Sequence, residues 1–331
     1  MRILSIDGGG IRGLIPAVVL AEIEHLTGRR IAELFDLIAG TSTGGILACA
    51  LTAPSPDDPG SPRFTAAQLS GLYETEGPDI FSRSLLKRIS SADGVLDERY
   101  DDDGLNRALA TYLGATRLRE ALTPILVTAY DIEAREAFFF RSERAARDPA
   151  HDFSMVDVAR ATSAAPSYFE PVEVADAAGA RRYPLVDGGV FAVNPAMCAY
   201  ADVPDVERVE LIASLGTGEH TRPVDFDKAR GWGQLEWVRP LIDIVFDGVA
   251  DTVDFQLSRL LPGGGYLRLQ VELRRAGDEF DDASRANLVR LREEAEALIA
   301  ARRPEIEAFC ERLLSARRDA RDRSVGLERP A

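Results

Sequence analysis

The sequence predicts an α/β protein in three layers (α/β/α), with a mostly parallel central sheet between two sets of helices. Short apolar strands alternate with helices along almost the whole chain, as in RILSID (2–7) followed by LIPAVVLAEIEHL (14–26). Three strands also run directly into glycine turns, at Gly8, Gly40 and Gly188. Ligands bind beyond the carboxyl ends of the strands in such sheets, so we expect these turns to share one cleft.

The elements follow one another without a linker. In the first helix Pro16 falls in the first turn, where proline is tolerated. The second strand, DLIAG (36–40), leads into the apolar helix GGILACAL (44–51). The later elements are helices at 65–76 and 104–114, strands at 124–131 and 136–141, a helix at 154–166, strands at 182–189 and 208–218, a helix at 233–261, a strand at 266–273 and a helix at 281–317. We therefore expect one domain over 1–317 and a disordered tail over 318–331.

Composition excludes several classes of partner. The net charge is −15, with 39 basic against 54 acidic residues, which disfavours nucleic acid and anionic membranes as electrostatic partners. Three distant cysteines and three scattered histidines predict neither a disulfide frame nor a metal site. A strand that starts at Arg2 leaves no room for a signal peptide, and no apolar run is long enough to span a membrane. We therefore expect a cytoplasmic protein.

The segment GTSTGG places Ser42 between a strand and an apolar helix, in the pattern G-x-S-x-G. Glycines lose much conformational freedom on folding, so this pattern suits a serine that must lie on a tight turn with its hydroxyl in a cleft. A helix N-cap is the alternative role. Thr41 or Thr43 could serve as the cap, however, and a cap does not require both Gly40 and Gly44. The pattern therefore predicts Ser42 as a nucleophile.

The segment GGGIRG matches the dinucleotide-binding pattern G-x-G-x-x-G at Gly8, Gly10 and Gly13. That pattern also needs an acidic residue at the end of the second strand, where this chain has the serine turn instead. A nicotinamide-binding oxidoreductase is therefore the less favoured interpretation. The N–H groups of Gly8, Gly9 and Gly10, ahead of a helix and beside Arg12, form a donor site for negative charge, an oxyanion hole. A plain tight turn is the remaining alternative.

The three histidines are poorly placed to activate a serine. His25 falls on the polar face of the first helix, and His151 lies in a loop. Only His220, just past the end of a strand, is a contender for the base of a serine triad.

An aspartate is the better candidate for the base. Asp187 leaves a strand through Gly188 and Gly189 in LVDGG, towards the edge where Ser42 is expected. An ordinary Asp-Gly turn is the alternative role of this segment. Asp7, at the end of the first strand, is the rival carboxylate, but we expect it to anchor the glycine turn.

Taken together, SIDGGGIRG, GTSTGG and DGG in this order resemble the patatin family of lipid acyl hydrolases. ATSAAPSYFEP, SLGTG, WGQLEW and DDASRANL are similar to patatin segments in the same order, so the resemblance covers nearly the whole chain. It implies a Ser-Asp dyad of Ser42 and Asp187, with oxyanion donors from Gly8 to Gly10 and Arg12 beside them. The implied reaction is hydrolysis of fatty acyl esters of phospholipids and galactolipids, without calcium or another cofactor.

The segment VFAVNPA, after DGG, resembles the bacterial branch of this family. Some short bacterial members act as effectors of nucleotide-triggered antiphage defence, which is one implied role. The partner is then a phospholipid or glycolipid membrane, contacted peripherally. Since the net charge disfavours electrostatic attraction, docking is expected to use apolar side chains, and the segment GPDIFSRSLLKRIS (77–90) offers Ile80, Phe81, Leu85 and Leu86 as candidates. A buried helix flank is the alternative role of this segment. A hydrolase of small soluble esters or thioesters is the alternative.

Overall fold

The computed structural model describes residues 1–80, 102–166, 168–179, 181–219 and 223–326. The strands of this part of the chain form one sheet. They are β1 (Arg2–Ile6), β2 (Leu37–Thr41), β3 (Ile125–Asp131), β4 (Glu136–Arg141), β5 (Val172–Ala175), β6 (Arg182–Asp187), β7 (Leu211–Leu215) and β8 (Tyr266–Leu269). The sheet order is β5-β6-β3-β2-β1-β7-β8, with β4 paired to β3.

Helices cover both faces of the sheet. They are α1 (Leu14–Thr27), α2 (Ile31–Leu34), α3 (Thr43–Thr52), α4 (Ala66–Thr75), α5 (Gly77–Ile80), α6 (Asp102–Leu113), α7 (Ser142–Arg147), α8 (Met155–Thr162), α9 (Gly189–Ala192), α10 (Ala196–Asp202), α11 (Phe226–Ala229), α12 (Gln234–Leu260), α13 (Arg285–Ala301) and α14 (Arg303–Gly326). None of the described helices is long and apolar enough to cross a membrane.

The sheet separates two apolar cores. Successive side chains of a strand point to opposite faces, so Leu4 and Ile6 of β1 join the larger core while Ile3 joins the smaller one. The larger core holds side chains of α1, α3, α4, α6, α8 and α13, and the smaller one those of α10 and α12. This arrangement confirms the predicted three-layer α/β/α fold.

The sheet is parallel from β3 through β2, β1 and β7 to β8. The strand that carries Asp187 departs from this pattern, since β6 runs antiparallel to β3. The expectation that Asp187 and Ser42 leave parallel strands is therefore wrong, although both residues line the same cleft as expected. Instead, β2 pairs with β3 as far as Thr128, and β6 pairs with β3 from Ala129 onward. The carboxyl ends of β2 and β6 thus meet end to end alongside β3.

Several element boundaries differ from the sequence-based ones. The helix expected at 154–166 ends at Thr162, and the strand expected at 266–273 ends at Leu269. The helix expected at 281–317 is two helices with a break at Arg302, because Pro304 lacks an N–H group and is tolerated only in a first helical turn. The last helix is described as far as Gly326, within the predicted tail 318–331, and the rest of that tail lies outside the described residues.

The apolar segment predicted to contact lipid is described only in part. Ile80, at the end of α5, is buried and is therefore not an exposed docking side chain. Phe81, Leu85 and Leu86 lie outside the described residues.

Candidate active site

Ser42 lies on the sharp turn between β2 and α3. Its backbone has φ 55° and ψ −124°, a conformation that non-glycine residues rarely adopt and that is often strained. The flanking glycines allow this turn to pack closely. A Cβ atom on Gly40 would lie 2.2 Å from the Gly44 carbonyl oxygen, and one on Gly44 would lie 2.1 Å from that of Ile6. The geometry therefore explains both glycines of the G-x-S-x-G pattern.

A buried threonine holds the backbone of the serine turn. The Ser42 N–H donates to Thr162 Oγ1 at 2.8 Å, and the Thr162 hydroxyl donates to the Thr128 carbonyl oxygen at 2.7 Å. Thr162 thereby connects the Ser42 amide to strand β3. Sequence reasoning missed this contact, for which the only available signal was a threonine in the patatin-like segment ATSAAPSYFEP.

Asp187 ends β6 and is buried beside Ser42. Burial raises the pKa of its carboxyl to about 7, although hydrogen bonds from the Ser42 side chain and the Gly189 N–H lower it. The Gly189 N–H donates to Asp187 Oδ1 at 2.7 Å and so fixes the carboxylate on its turn. The Asp187 carboxyl therefore lies close enough to the serine side chain to interact with it, and its raised pKa is near neutral.

Two further threonines connect the serine turn to the aspartate turn. The Thr41 hydroxyl donates to the Ala192 carbonyl oxygen at 2.6 Å, so the Thr128 hydroxyl must donate to Thr41 Oγ1, 2.7 Å away. Gly188 packs on the same group, because a Cβ atom there would lie 2.1 Å from Thr128 Oγ1. These buried hydroxyls fix the relative position of the two turns that carry Ser42 and Asp187.

The glycine turn after β1 faces the serine. A Cβ atom on Gly8 would lie 3.2 Å from Ser42 Cβ. The Gly8 N–H donates to the Val193 carbonyl oxygen at 3.0 Å, so this donor serves the fold, contrary to its expected place in an oxyanion hole. Within the described part of the chain, no group accepts from the N–H of Gly9 or Gly10. These two amides line the cleft and are the available donors.

Arg12 supports the wall of the cleft from behind. Its guanidinium lies 4.3 Å from the centre of the Phe280 ring and donates to the Asp278 carbonyl oxygen at 3.2 Å. Burial lowers the pKa of Arg12 to about 10, although the negative charges of nearby aspartates such as Asp247 raise it. Phe280 and Asp278 line the cleft whereas Arg12 does not, so Arg12 holds this loop and does not face Ser42.

Gly13 has a packing role as well. A Cβ atom on Gly13 would lie 2.1 Å from Thr43 Oγ1, in the first turn of α3. This glycine lets the turn after β1 approach the helix that follows Ser42.

The described histidines lie away from the cleft. The exposed His25 is near Glu22, and His151 Nδ1 is hydrogen-bonded to Asp148 Oδ2 at 2.7 Å. Neither lines the cleft, and His220 lies outside the described residues.

The rival carboxylate Asp7 is buried in an ion pair with Arg268, at 2.6 Å. Burial raises the pKa of Asp7, although Arg268 lowers it. Asp7 does not line the cleft, so its role is structural.

The cleft above Ser42 has a volume of about 1130 Å³ and mostly apolar walls. Ligand-binding clefts of proteins are typically apolar with a few polar groups at fixed positions. Here the polar groups are Ser42, Asp187 and the Gly9–Gly10 amides, while α3, α4 and α6 supply aliphatic side chains such as Leu47, Leu72 and Leu109. The cleft therefore suits a substrate with a long apolar part.

Comparison with known proteins identifies the family. The family model for patatin-like phospholipases matches residues 4–200, more than half of the 331-residue chain. The chain belongs to the patatin-like phospholipases. Patatin-like protein 2 of Arabidopsis thaliana is 36% identical over 310 residues, which cover 82% of this chain and 75% of the relative. Membership of this family indicates a lipid acyl hydrolase.

Two other proteins are similar to this chain. The Solanum tuberosum protein named "Probable inactive patatin-3-Kuras 1" is 32% identical over 331 residues, covering 90% of this chain and 86% of the relative. VipD from Legionella pneumophila covers 91% of this chain and 67% of its own, with 13% identity and a TM-score of 0.38, which is too remote to bear on the site.

We expect the substitution Thr162→Val to lower kcat about ten-fold or more and to leave KM within about two-fold. Valine has a similar shape but leaves the buried Ser42 N–H without an acceptor, which costs about 1–3 kcal/mol and loosens the Ser42 turn. Thr162→Ser keeps the hydroxyl and should retain most of the activity. Steady-state kinetics on a dissolved ester measure both constants, and equal losses in the two variants would contradict this role.

Proposed function

We propose that this patatin-like phospholipase hydrolyses fatty acyl ester bonds of membrane phospholipids and glycolipids through a Ser42–Asp187 dyad. The observation that supports it most directly is the buried Asp187 carboxyl beside the Ser42 side chain in one cleft. The carboxyl has a pKa raised to about 7, which suits a general base near neutral pH. Its position beside a strained serine turn is that of a nucleophile and its activating base.

In the first step Ser42 Oγ attacks the ester carbonyl carbon and its proton passes to Asp187. The tetrahedral intermediate collapses, the bond to the lysolipid oxygen breaks, and the alcohol leaves with the proton from Asp187. A water molecule, deprotonated by Asp187, then attacks the acyl-serine. The fatty acid is released and the serine recovers its proton, so that the dyad returns to its starting state.

The negative charge on the tetrahedral intermediate needs hydrogen-bond donors. The Gly9 and Gly10 amides line the cleft beside Ser42 and have no acceptor in the described part of the chain. One donor of this kind lowers the barrier by about 3–4 kcal/mol in other enzymes. We assign the oxyanion hole to these two amides.

The shape of the cleft favours lipid over a small ester. A cavity of about 1130 Å³ with largely aliphatic walls can enclose an acyl chain, whereas a small soluble ester or thioester would leave most of the apolar surface uncovered. The family assignment leaves the dinucleotide-binding interpretation of GGGIRG without support. The cytoplasmic, membrane-peripheral location, the bacterial type and the role in antiphage defence stay predictions.

The test is the release of fatty acid from phosphatidylcholine vesicles, with the Ser42→Ala variant as the control. We expect release by the wild-type protein and none above background by the variant. Hydrolysis confined to short dissolved esters would support the esterase alternative and contradict the assignment to membrane lipid.

We expect lipid hydrolysis to persist in excess EDTA, because the chain itself supplies every group in the proposed mechanism. In the described part of the chain, no cluster of three His, Cys, Asp or Glu side chains could hold a metal ion. Fatty-acid release measured with and without chelator checks this prediction. Loss of activity that added calcium restores would contradict it.

A further inference from the structure

Helix α12 exposes a row of large apolar side chains to solvent. Trp237, Leu241, Ile244 and Val245 are 36%, 53%, 45% and 40% exposed. Their spacing of i, i+4, i+7 and i+8 places them on one side of the helix. We call these four residues the α12 stripe.

The α12 stripe does not pack against the protein's core. The buried side of α12 carries Val253 and Leu257, which belong to the smaller core. At 100° per residue, these two positions lie on roughly the opposite side of the helix from the stripe. A surface helix normally presents polar residues on the side away from the core, so a second apolar side indicates a contact outside the chain.

The stripe continues into the active-site cleft. Leu241 and Val245 line the same cavity as Ser42 and Asp187, while their exposed fractions place them at its mouth. A lipid that entered the cleft along this side would remain in contact with apolar surface from the outside to the nucleophile. This continuity indicates that the stripe and the cleft serve one ligand.

Aromatic side chains lie on the stripe and in the segment of the chain just before it. Trp232 and Trp237 form an edge-to-face pair with ring centres 5.1 Å apart, and Phe226 on α11 is 73% exposed. Tryptophan is enriched at membrane–water interfaces, where one part of the indole is apolar and its N–H can reach polar groups. This composition fits a lipid surface.

The negative charge of α12 indicates which kind of lipid surface it can contact. The helix contains five acidic and two basic residues. Asp247 and Asp251 are exposed, and Asp243 lies next to Ile244 at the cleft. Anionic lipids attract basic segments, so an acidic one is repelled by them. The stripe therefore suits zwitterionic or uncharged headgroups better than anionic ones.

We propose that the α12 stripe is the surface by which this protein docks onto a bilayer of zwitterionic or uncharged lipids, with the cleft opening onto the membrane. The proposal rests on the proposed function, because it takes the substrate to be a membrane lipid. It differs from the segment at 77–90, where the sequence predicted docking.

The chain contains its own probe for this contact. Its two tryptophans, Trp232 and Trp237, both lie at the stripe, so tryptophan fluorescence reports on this surface alone. We expect the emission of the Ser42→Ala variant to shift to shorter wavelength when phosphatidylcholine vesicles are added. Brominated acyl chains should quench it. Vesicles containing phosphatidylglycerol should bind more weakly at low salt, and added salt should reduce that difference.

A matched pair of variants tests the position of the contact. Ile244→Asp places a charge within the stripe but outside the cleft lining, whereas Val289→Asp places one at a site 51% exposed on α13. We expect Ile244→Asp to raise the lipid concentration for half-maximal binding about ten-fold or more, since a buried aliphatic side chain contributes about that factor. Val289→Asp should leave binding unchanged. When Ile244→Asp and Val289→Asp are made in the protein that retains Ser42, both should hydrolyse a dissolved short-chain ester as the wild type does.

Three outcomes would overturn the docking surface: equal binding by the two variants, stronger binding to anionic vesicles at low salt, or a wild-type dimer that Ile244→Asp converts to a monomer. In the last case a second copy of the chain covers the stripe. Failure of the proposed function looks different. The wild-type protein would then bind phosphatidylcholine vesicles through the stripe but release no fatty acid from them.

Discussion

Replacing Ser42 by alanine should abolish lipid hydrolysis while the protein stays folded. The substitution removes the nucleophilic oxygen, and loss of a serine nucleophile costs about 10⁴-fold or more in kcat in comparable enzymes. Alanine differs from serine by one oxygen atom, and the Ser42 N–H that contacts Thr162 is retained. Fatty-acid release from phosphatidylcholine vesicles measures the loss, and circular dichroism measures the fold.

A covalent probe locates the nucleophile independently of turnover. A fluorophosphonate should add once to the wild-type protein, and peptide mass spectrometry should place the adduct on Ser42. The Ser42→Ala variant should remain unlabelled. An adduct on another residue, or residual hydrolysis by Ser42→Ala well above background, would remove Ser42 from the mechanism.

The substitution Asp187→Asn should lower kcat about 10³-fold or more. Asparagine keeps the shape of the side chain but cannot take the proton from Ser42, so the packing of the site remains while the proposed general base is lost. The histidines provide the controls. His25→Ala and His151→Ala should keep most of the activity, since neither residue lines the cleft. His220→Ala tests the histidine that lies outside the described residues, and a loss as complete as that of Ser42→Ala would indicate a triad.

The pH dependence of hydrolysis follows from the same carboxyl. Asp187 acts as a base only when ionised, and burial raises its pKa to about 7. We therefore expect kcat/KM to rise with pH and to reach half its maximum at about pH 7. Histidine can imitate such a profile, so the profile should be recorded in the three histidine variants as well. If all three histidine variants keep this pH profile, the titration belongs to Asp187. If the profile disappears in one variant, the titration belongs to that histidine.

The raised pKa also predicts that Asp187 destabilises the fold at alkaline pH. The folded state holds this proton more tightly than the unfolded state, in which the carboxyl has its ordinary pKa of 3.8. The contribution of Asp187 to the free energy of unfolding is therefore fully present below about pH 4 and is lost as the pH rises through about 7. The pKa values of the folded and unfolded states differ by about three units, which corresponds to about 4 kcal/mol in the free energy of unfolding. Asp187→Asn should thus raise Tm relative to wild type at pH 8, and the difference should shrink towards pH 4.

Local sequence patterns were sufficient for most of the fold. Alternation of apolar strands with helices predicted the three layers, because a sheet covered on both faces needs apolar residues on both sides of each strand. The G-x-S-x-G pattern predicted the serine turn for a local reason as well. Gly40 and Gly44 must lack Cβ atoms for β2, the turn and α3 to pack at the observed distances.

The same patterns could not show how Ser42 and Asp187 meet. Both residues were predicted at strand ends, but nothing in the sequence indicated that β6 runs antiparallel to β3, because strand direction depends on the packing of the whole chain. The register of β6 against β3, which begins at Ala129 where pairing with β2 stops at Thr128, brings the two turns together. Residue pairing over such distances leaves no periodicity in a single sequence.

The sequence by itself therefore determined the layers of this protein, the Ser42 turn and the candidate base, since each depends on residues close together in the chain. The tertiary structure decided which groups can act. It assigned the Gly8 N–H to Val193 and the Arg12 guanidinium to Phe280, leaving Gly9 and Gly10 as the candidate donors. Burial is set by residues distant in the chain, and it raises the pKa of Asp187 to about 7, against the lowering effect of its hydrogen-bond donors.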